Sequence, residues 1–180
     1  LEPNPNKKKQ FDEKALEELK IKEMGESIDI IEKIILDNSS DFPTIKDISI
    51  RTAMLDENVK KDIEVLESMD KIVLFNLTKE AYIIHKEYFN FLKENILKEL
   101  KKFHEENPLK IGAPKEEIRS RFLKNVNPRV GDRFMELLVE MNYIEKDMEN
   151  IHLKGFKIKY NDMQLKIKEE LVELYNSTLF

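Results

Sequence analysis

The stretch DENVKKDIEVLESMDKIVLFNLTKEAYIIH, residues 56–85, contains the pattern that decides the fold. The apolar residues of its first half recur every three or four positions: Val59, Ile63, Leu66 and Met69. This spacing predicts an amphipathic helix that buries these four side chains, with Asp56 as its N-cap. Two β-prone runs follow, residues 71–75 and 81–85, on either side of a polar break. Such a pair predicts a β-hairpin, so the stretch is a helix followed by a hairpin.

Two further helices are predicted upstream of this stretch. Apolar residues at helical spacing mark the first of them: Ile28, Ile31, Ile34 and Ile35. Thr44, with Asp47 three residues later, has the form of a capping box and predicts the start of a second, short helix that contains Ile45 and Ile48. Residues 27–85 therefore have the order helix, helix, helix, hairpin.

The same order returns in residues 86–157. A long helix over residues 86–106 has this apolar face: Tyr88, Leu92, Ile96, Leu100 and Phe103. Pro114 and the pair Asn127–Pro128 mark the starts of the next two helices, because proline suits the first helical position. The third helix is expected to bury Phe134, Leu137, Leu138 and Met141. Residues 143–147 and 150–154 form the second hairpin. A shift of 72 positions superposes the two third helices, for example Leu66 on Leu138 and Met69 on Met141.

Three helices followed by a hairpin describe a winged helix, a helix-turn-helix variant whose third helix often lies in a nucleic-acid groove. We therefore predict a mainly α protein with small β-hairpins (α+β), built from tandem winged-helix modules. A last helix is predicted over Asp162–Tyr175. We interpret it as the first helix of a third module, and the alternative is a C-terminal packing helix. The predicted divisions are 1–26, a linker and a short helix through Ala15–Leu19; 27–85, winged helix 1; 86–157, winged helix 2; and 158–180, the first helix of a truncated third winged helix.

The residue types argue against catalysis. There is no cysteine, which excludes a disulfide framework and a thiolate metal site. The histidines His85, His104 and His152 have no partner at the spacing of a metal-binding helix, and we expect them at helix ends or on strand surfaces. The four glycines form no phosphate loop. We predict no enzyme, no metal site and no cofactor in this chain. Its apolar runs are far shorter than a membrane span and it shows no targeting signal, so we expect a cytoplasmic monomer.

Charge separates the two modules. Residues 28–85 hold 7 basic and 12 acidic side chains, whereas residues 86–157 hold 15 basic and 13 acidic ones. The third helix of the first module carries Asp56, Glu57, Asp62, Glu64, Glu67 and Asp70 against Lys60 and Lys61. Phosphate would be repelled there. RNA phosphate contacts are predicted instead at Lys115, Arg119, Arg121, Arg129 and Arg133 of the second module. The alternative is that these arginines pair with Glu116, Glu117, Asp132 and Glu136.

One segment resembles a known family. Residues 103–122, FHEENPLKIGAPKEEIRSRF, resemble a stretch of the bacterial selenocysteine-specific translation elongation factors. In that family the stretch contains, at the same spacing, Phe-His, Pro-Leu, Gly and Pro-Lys-Glu-Glu-Leu-Arg-Ser-Arg. The sequence departs from that pattern at Ala113 and Ile118, where a larger residue and leucine are expected. The opening Leu-Glu-Pro-Asn-Pro and the late Lys-Gly-Phe are also similar to that family, so the resemblance runs over essentially the whole chain.

The resemblance implies a function for the chain. The parent factor would bind GTP with Mg²⁺ and carry selenocysteinyl-tRNA in an N-terminal part outside this chain. Its C-terminal extension would be a row of four winged helices, of which the last grip the selenocysteine-insertion hairpin of the messenger RNA. This chain would be a spacer joining the two, with hairpin and ribosome as partners through the parent protein. The alternative is a tandem winged-helix transcriptional regulator that binds DNA, against which the acidic third helix argues.

Overall fold

The structure is a computed structural model that describes residues 25–78 and 80–178. The predicted linker and the helix through Ala15–Leu19 lie outside the described residues. Contacts divide the chain into two compact units. The first holds the described residues up to Leu92 together with Asn125–Arg133, and the second holds Lys93–Lys124 and the described residues from Phe134 onward. The predicted class, mainly α with small antiparallel sheets, is confirmed.

The first unit contains the predicted order of helices and hairpin. Its elements are helix α1 (25–38), a 3-10 turn (Ser39–Asp41), helices α2 (Ile45–Thr52) and α3 (Asp56–Ser68), and antiparallel strands β1 (Ile72–Asn76) and β2 (Ala81–His85). The predicted capping box is present, since Thr44 N donates to Asp47 Oδ2 at 2.9 Å and Asp47 N donates to Thr44 Oγ1 at 3.3 Å. The N-cap of α3 is Leu55, one residue before the predicted Asp56. The core consists of Ile31, Ile35, Ile48, Val59, Ile63, Leu66, Ile72 and Ile83.

The remaining elements repeat this order. They are helix α4 (Lys86–Glu106), strand β3 (Ala113–Pro114), helices α5 (Lys115–Phe122) and α6 (Pro128–Glu140), strands β4 (Ile144–Asp147) and β5 (Asn150–Leu153), and helix α7 (Asp162–Thr178). The sheet has the order β3-β5-β4, and both of its pairings are antiparallel. The pair Asn127–Pro128 starts α6 as predicted, because Asn127 Oδ1 accepts from Arg129 N at 3.0 Å. Pro114 instead precedes the first residue of α5.

The two hairpins share the same arrangement at their base, a left-handed turn residue that is hydrogen-bonded by a lysine. Behind α3 the chain turns at Asp70 and behind α6 at Asn142, with φ of 55° and 61°. Asparagine and aspartate tolerate this left-handed conformation better than other residues with side chains. A lysine after each hairpin then binds the turn: Lys86 Nζ donates to Asp70 Oδ1 at 2.7 Å, and Lys154 Nζ donates to Asn142 Oδ1. The repeat predicted from spacing thus extends to individual hydrogen bonds.

The same turns overturn two core predictions. Met69 and Met141, both predicted to be buried, are 59% and 41% exposed. Helix α3 ends at Ser68 and α6 at Glu140, so each methionine lies past the last helical residue, where the chain leaves the helical path. On α4, Leu92, Ile96 and Leu100 are buried as predicted. The buried aromatic residue near its start is Phe89 rather than Tyr88, and Phe103 is half-buried.

Helix α7 extends over the predicted segment and beyond it. Asn161 caps it, because Gln164 N donates to Asn161 Oδ1 at 2.8 Å and Asn161 N donates to Gln164 Oε1 at 2.9 Å. Its large apolar side chains are exposed, among them Ile167 and Leu171 at 50% and 61%. Both interpretations of this helix, the first helix of a third module and a packing helix, stay predictions. Among the described helices, none is long and apolar enough to cross a membrane.

Candidate nucleic-acid interface

Helix α5 holds three of the five side chains that were predicted to contact RNA: Lys115, Arg119 and Arg121. Arg119 forms a bidentate ion pair with Glu116, which lies one turn earlier on the helix. Its Nε lies 2.9 Å and its Nη2 2.5 Å from the two carboxylate oxygens. The Arg119 side chain is only 18% exposed. This is the ion pairing that the sequence offered as the alternative to RNA contact.

Arg121 is held from two sides. Its Nη1 pairs with Glu99 of α4, and its Nη2 lies 3.9 Å from Glu117. The pair with Glu99 was not predicted, because the two residues are separated by 22 positions and only the packing of α5 beside α4 joins them. About half of the Arg121 side chain remains exposed, at 49%. Such pairs are weak and can be exchanged for a phosphate, so RNA contact at α5 stays a prediction.

The other two predicted side chains lie at the start of α6. Arg129 is exposed in the first turn, and Arg133 is half-buried one turn later. Both fall in the segment Asn125–Arg133 of the first unit, whereas α5 lies in the second. The five predicted side chains are therefore divided between the two units.

The acidic face of α3 is largely as predicted. Asp56, Glu57, Glu64 and Glu67 are exposed, and so are Lys60 and Lys61. Asp62 is the exception, because it is 6% exposed and its Oδ2 accepts a hydrogen bond from Ser27 Oγ at 2.9 Å. It stabilises the contact between α1 and α3 and does not belong to the solvated row. The exposed surface of α3 nevertheless repels phosphate.

The three histidines are buried, which corrects the expected surface positions. His85, His104 and His152 are 4%, 7% and 8% exposed. His85 Nε2 lies 3.3 Å from Glu32 Oε1, and its Nδ1 accepts from Glu87 N at 3.2 Å. The hydrogen bond from Lys71 lowers the pKa of Glu32, and the bond to His85 lowers it further. His85 thus joins α1 to the end of the first hairpin as a structural residue.

His104 and His152 meet at the end of the second hairpin. The His104 ring stacks on Phe156, with 3.5 Å between centroids and 14° between planes. Its Nε2 accepts from Leu153 N at 3.3 Å, which requires this nitrogen to be unprotonated. Its buried Nδ1 has no hydrogen-bond partner within the described part of the chain. Burial lowers the pKa of His104, and the neighbouring His152 lowers it further.

We expect a pH dependence from His104. Its pKa in the folded chain lies below the ordinary value of 6.5, so the unfolded chain takes up a proton first as the pH falls. Stability is complete above pH 6.5 and decreases below it until the pKa of the folded state is passed. Each pH unit between the two pKa values costs about 1.4 kcal/mol. Denaturant unfolding at about pH 7.5 and about pH 5.5 measures the loss, above the range where carboxylates titrate. His104→Gln should remove this part of the pH dependence, and an unchanged difference between the two pH values would contradict the assignment.

A second basic surface lies on α4, where the sequence analysis did not place one. Its groove, of about 520 Å³, is lined by Asn95, Lys98, Glu99, Lys101, Lys102, Glu105 and Phe122. We call it the lysine groove. The signal in the sequence is three lysines at positions i, i+3 and i+4 of a helix, which share one face. The described residues contain no group of three side chains suited to a metal ion.

Comparisons with known proteins identify the second module. Residues 97–153 match the family model for the second winged helix of elongation factor SelB. A solved structure, the mRNA-binding domain of elongation factor SelB from E. coli in complex with SECIS RNA, has a similar fold. Its TM-score is 0.54 at 10% sequence identity, over 74% of this chain and 98% of that chain. No curated relative matches this chain.

These findings differ in what they show. At 10% identity the likeness to the E. coli domain shows the fold alone. The family match includes the whole of residues 103–122 and so confirms the resemblance of that segment. Residues 97–153 of this chain are therefore similar to the second winged helix of the elongation factor SelB family.

Proposed function

We propose that this chain is a winged-helix spacer of a selenocysteine-specific elongation factor. It joins the body that binds GTP with Mg²⁺ and selenocysteinyl-tRNA to the modules that bind the selenocysteine-insertion hairpin in messenger RNA. The observation that carries the proposal is the match of residues 97–153 to the model for the second winged helix of elongation factor SelB. The factor works on the ribosome in the cytoplasm, and the spacer itself has no catalytic role.

The surface chemistry of the chain supports a spacer. The exposed residues of α3 are mainly acidic, and this is the helix that a nucleic-acid-binding winged helix would insert into a groove. On α5, Arg119 and Arg121 are engaged by carboxylates of the same unit. These features favour a structural part over a specific reader of RNA or DNA.

One observation favours a second candidate. The E. coli domain that shares the fold was solved with SECIS RNA, and 98% of that domain is covered by the match. The second candidate is therefore that this chain itself grips the hairpin. A DNA-binding regulator is a third possibility, and the acidic α3 argues against it because each phosphate contact requires a basic side chain.

Binding measurements with three probes test the proposal. We expect the selenocysteine-insertion hairpin and a scrambled hairpin to bind alike, weakly and with strong salt dependence, since the contacts are to phosphates. Arg119→Ala combined with Arg121→Ala should weaken both hairpins equally. A DNA duplex should bind no more tightly than the scrambled hairpin. Fluorescence anisotropy at two salt concentrations is the measurement.

The outcomes separate the candidates. Tight, salt-resistant binding of the insertion hairpin alone would assign the grip to this chain and reject the spacer. Tight, sequence-dependent binding of the DNA duplex would support the regulator instead. Unfolding of the arginine variant, monitored by circular dichroism, controls for lost stability.

A further inference from the structure

We infer that the lysine groove of the second unit binds a short unpaired segment of RNA, with phosphates on its lysines and a base on Phe122. The inference rests on the proposed function and deepens it, because it names the RNA surface of the spacer and the kind of RNA that this surface takes. The surface differs from the predicted one on α5 and α6.

The groove offers positive charge that is not committed to other residues. Within the described ranges, neither Lys98 nor Lys101 has a carboxylate partner. Lys102 lies 3.7 Å from Glu106, but both side chains are more than 60% exposed, so this pair is weak. Glu99, the carboxylate nearest to these lysines along the helix, is held by Arg121. A phosphate can therefore approach the lysines without displacing a strong ion pair.

The other lining groups suit an unpaired base. The half-buried ring of Phe122, the last residue of α5, lines the groove and provides an aromatic surface. Proteins that bind single strands combine a basic groove for the backbone with such rings for the bases. Glu105 also lines the groove, and its carboxylate can accept a hydrogen bond from the amino group of a base whose pairing edge is open. A duplex would offer its phosphates but not these bases.

Salt-dependent binding tests the lysines. The probe is a mixed-sequence single-stranded RNA of about 12 nucleotides, within the site size of single-strand binders. Replacing Lys98, Lys101 and Lys102 by alanine should weaken binding about tenfold at low salt and lower the salt slope by about 2, the value for three lost phosphate contacts on a single strand. The matched control replaces Lys33, Lys60 and Lys61 by alanine. These lysines are exposed on helices of the first unit and have no ion pair within the described residues, and their removal should change binding less than about twofold.

Phe122→Leu tests the base. Leucine keeps apolar bulk at a half-buried position, so the fold is retained, but it removes the aromatic face. Binding of the single strand should weaken several-fold, and binding of a duplex of equal length should not change. Equal effects of the two lysine variants would overturn the inference. A duplex that binds as tightly as the single strand would also overturn it. An unchanged affinity for the single strand in Phe122→Leu would do the same. None of these results bears on the proposed function, which fails only if the chain binds the insertion hairpin or DNA specifically.

Discussion

Replacing Leu138 by alanine should lower the free energy of unfolding by about 2–5 kcal/mol. Leu138 lies in α6 and is fully buried, and the same unit buries Ile96, Leu100, Ile118 and Ile144. Truncation removes three carbons, the Cγ methine and the two Cδ methyl groups, from this core and leaves a cavity that the surrounding helices and strands fill only in part. Both effects act in the same direction, so the loss is expected at any pH where the chain is folded.

Met141→Ala is the matched control for this variant. Met141 follows the end of the same helix and is 41% exposed. Its truncation should cost less than about 1 kcal/mol, because solvent replaces the lost contacts. Urea unfolding followed by circular dichroism measures both variants. If both variants lost the same free energy of unfolding, Leu138 would not lie on the buried face of α6.

The contrast between these residues shows how far spacing alone predicts a fold. Helical periodicity identifies Leu66 and Leu138 because both lie inside regular helices, where each residue advances by a fixed angle. It fails at Met69 and Met141, since the helix has ended before them and the periodicity no longer applies. Propensity does not fix a helix end to the residue. The left-handed Asp70 and Asn142 could have indicated these ends, because both residue types are common at such turns.

The candidate interface was less predictable than the fold. The pairing of Arg119 with Glu116 follows from helical spacing and was one of the two alternatives. The pairing of Arg121 with Glu99 depends on the packing of two helices and cannot be obtained from spacing. For the same reason the histidines were misplaced. His104 is buried because Phe156, 52 positions later, stacks on it, and a sequence pattern within one element does not report such a contact.

Gly112→Ala should be similarly damaging, although it adds an atom instead of removing several. Gly112 directly precedes β3, whose Ala113 pairs with Ile151 of β5. A Cβ at Gly112 would lie 2.4 Å from the Ile151 carbonyl oxygen and 2.8 Å from its carbonyl carbon. These are backbone atoms, so no side-chain rotation relieves the overlap, and β3 must move away from β5. We expect a loss of about 3 kcal/mol, at the upper end of the usual cost of overpacking.

Gly25→Ala provides a control of opposite sign. Among the described residues, a Cβ at Gly25 meets no atom within 4 Å, and Gly25 is the first described residue of helix α1. Alanine should therefore stabilise the chain by about 0.4–1 kcal/mol, since it has less conformational entropy than glycine to lose on folding. Amide hydrogen exchange adds a local test, because displacement of β3 should accelerate exchange at Lys115, whose N–H donates to the Glu149 carbonyl at 2.9 Å. Full protection of that amide in Gly112→Ala, with stability unchanged, would mean that the two strands do not approach as closely as the glycine requires.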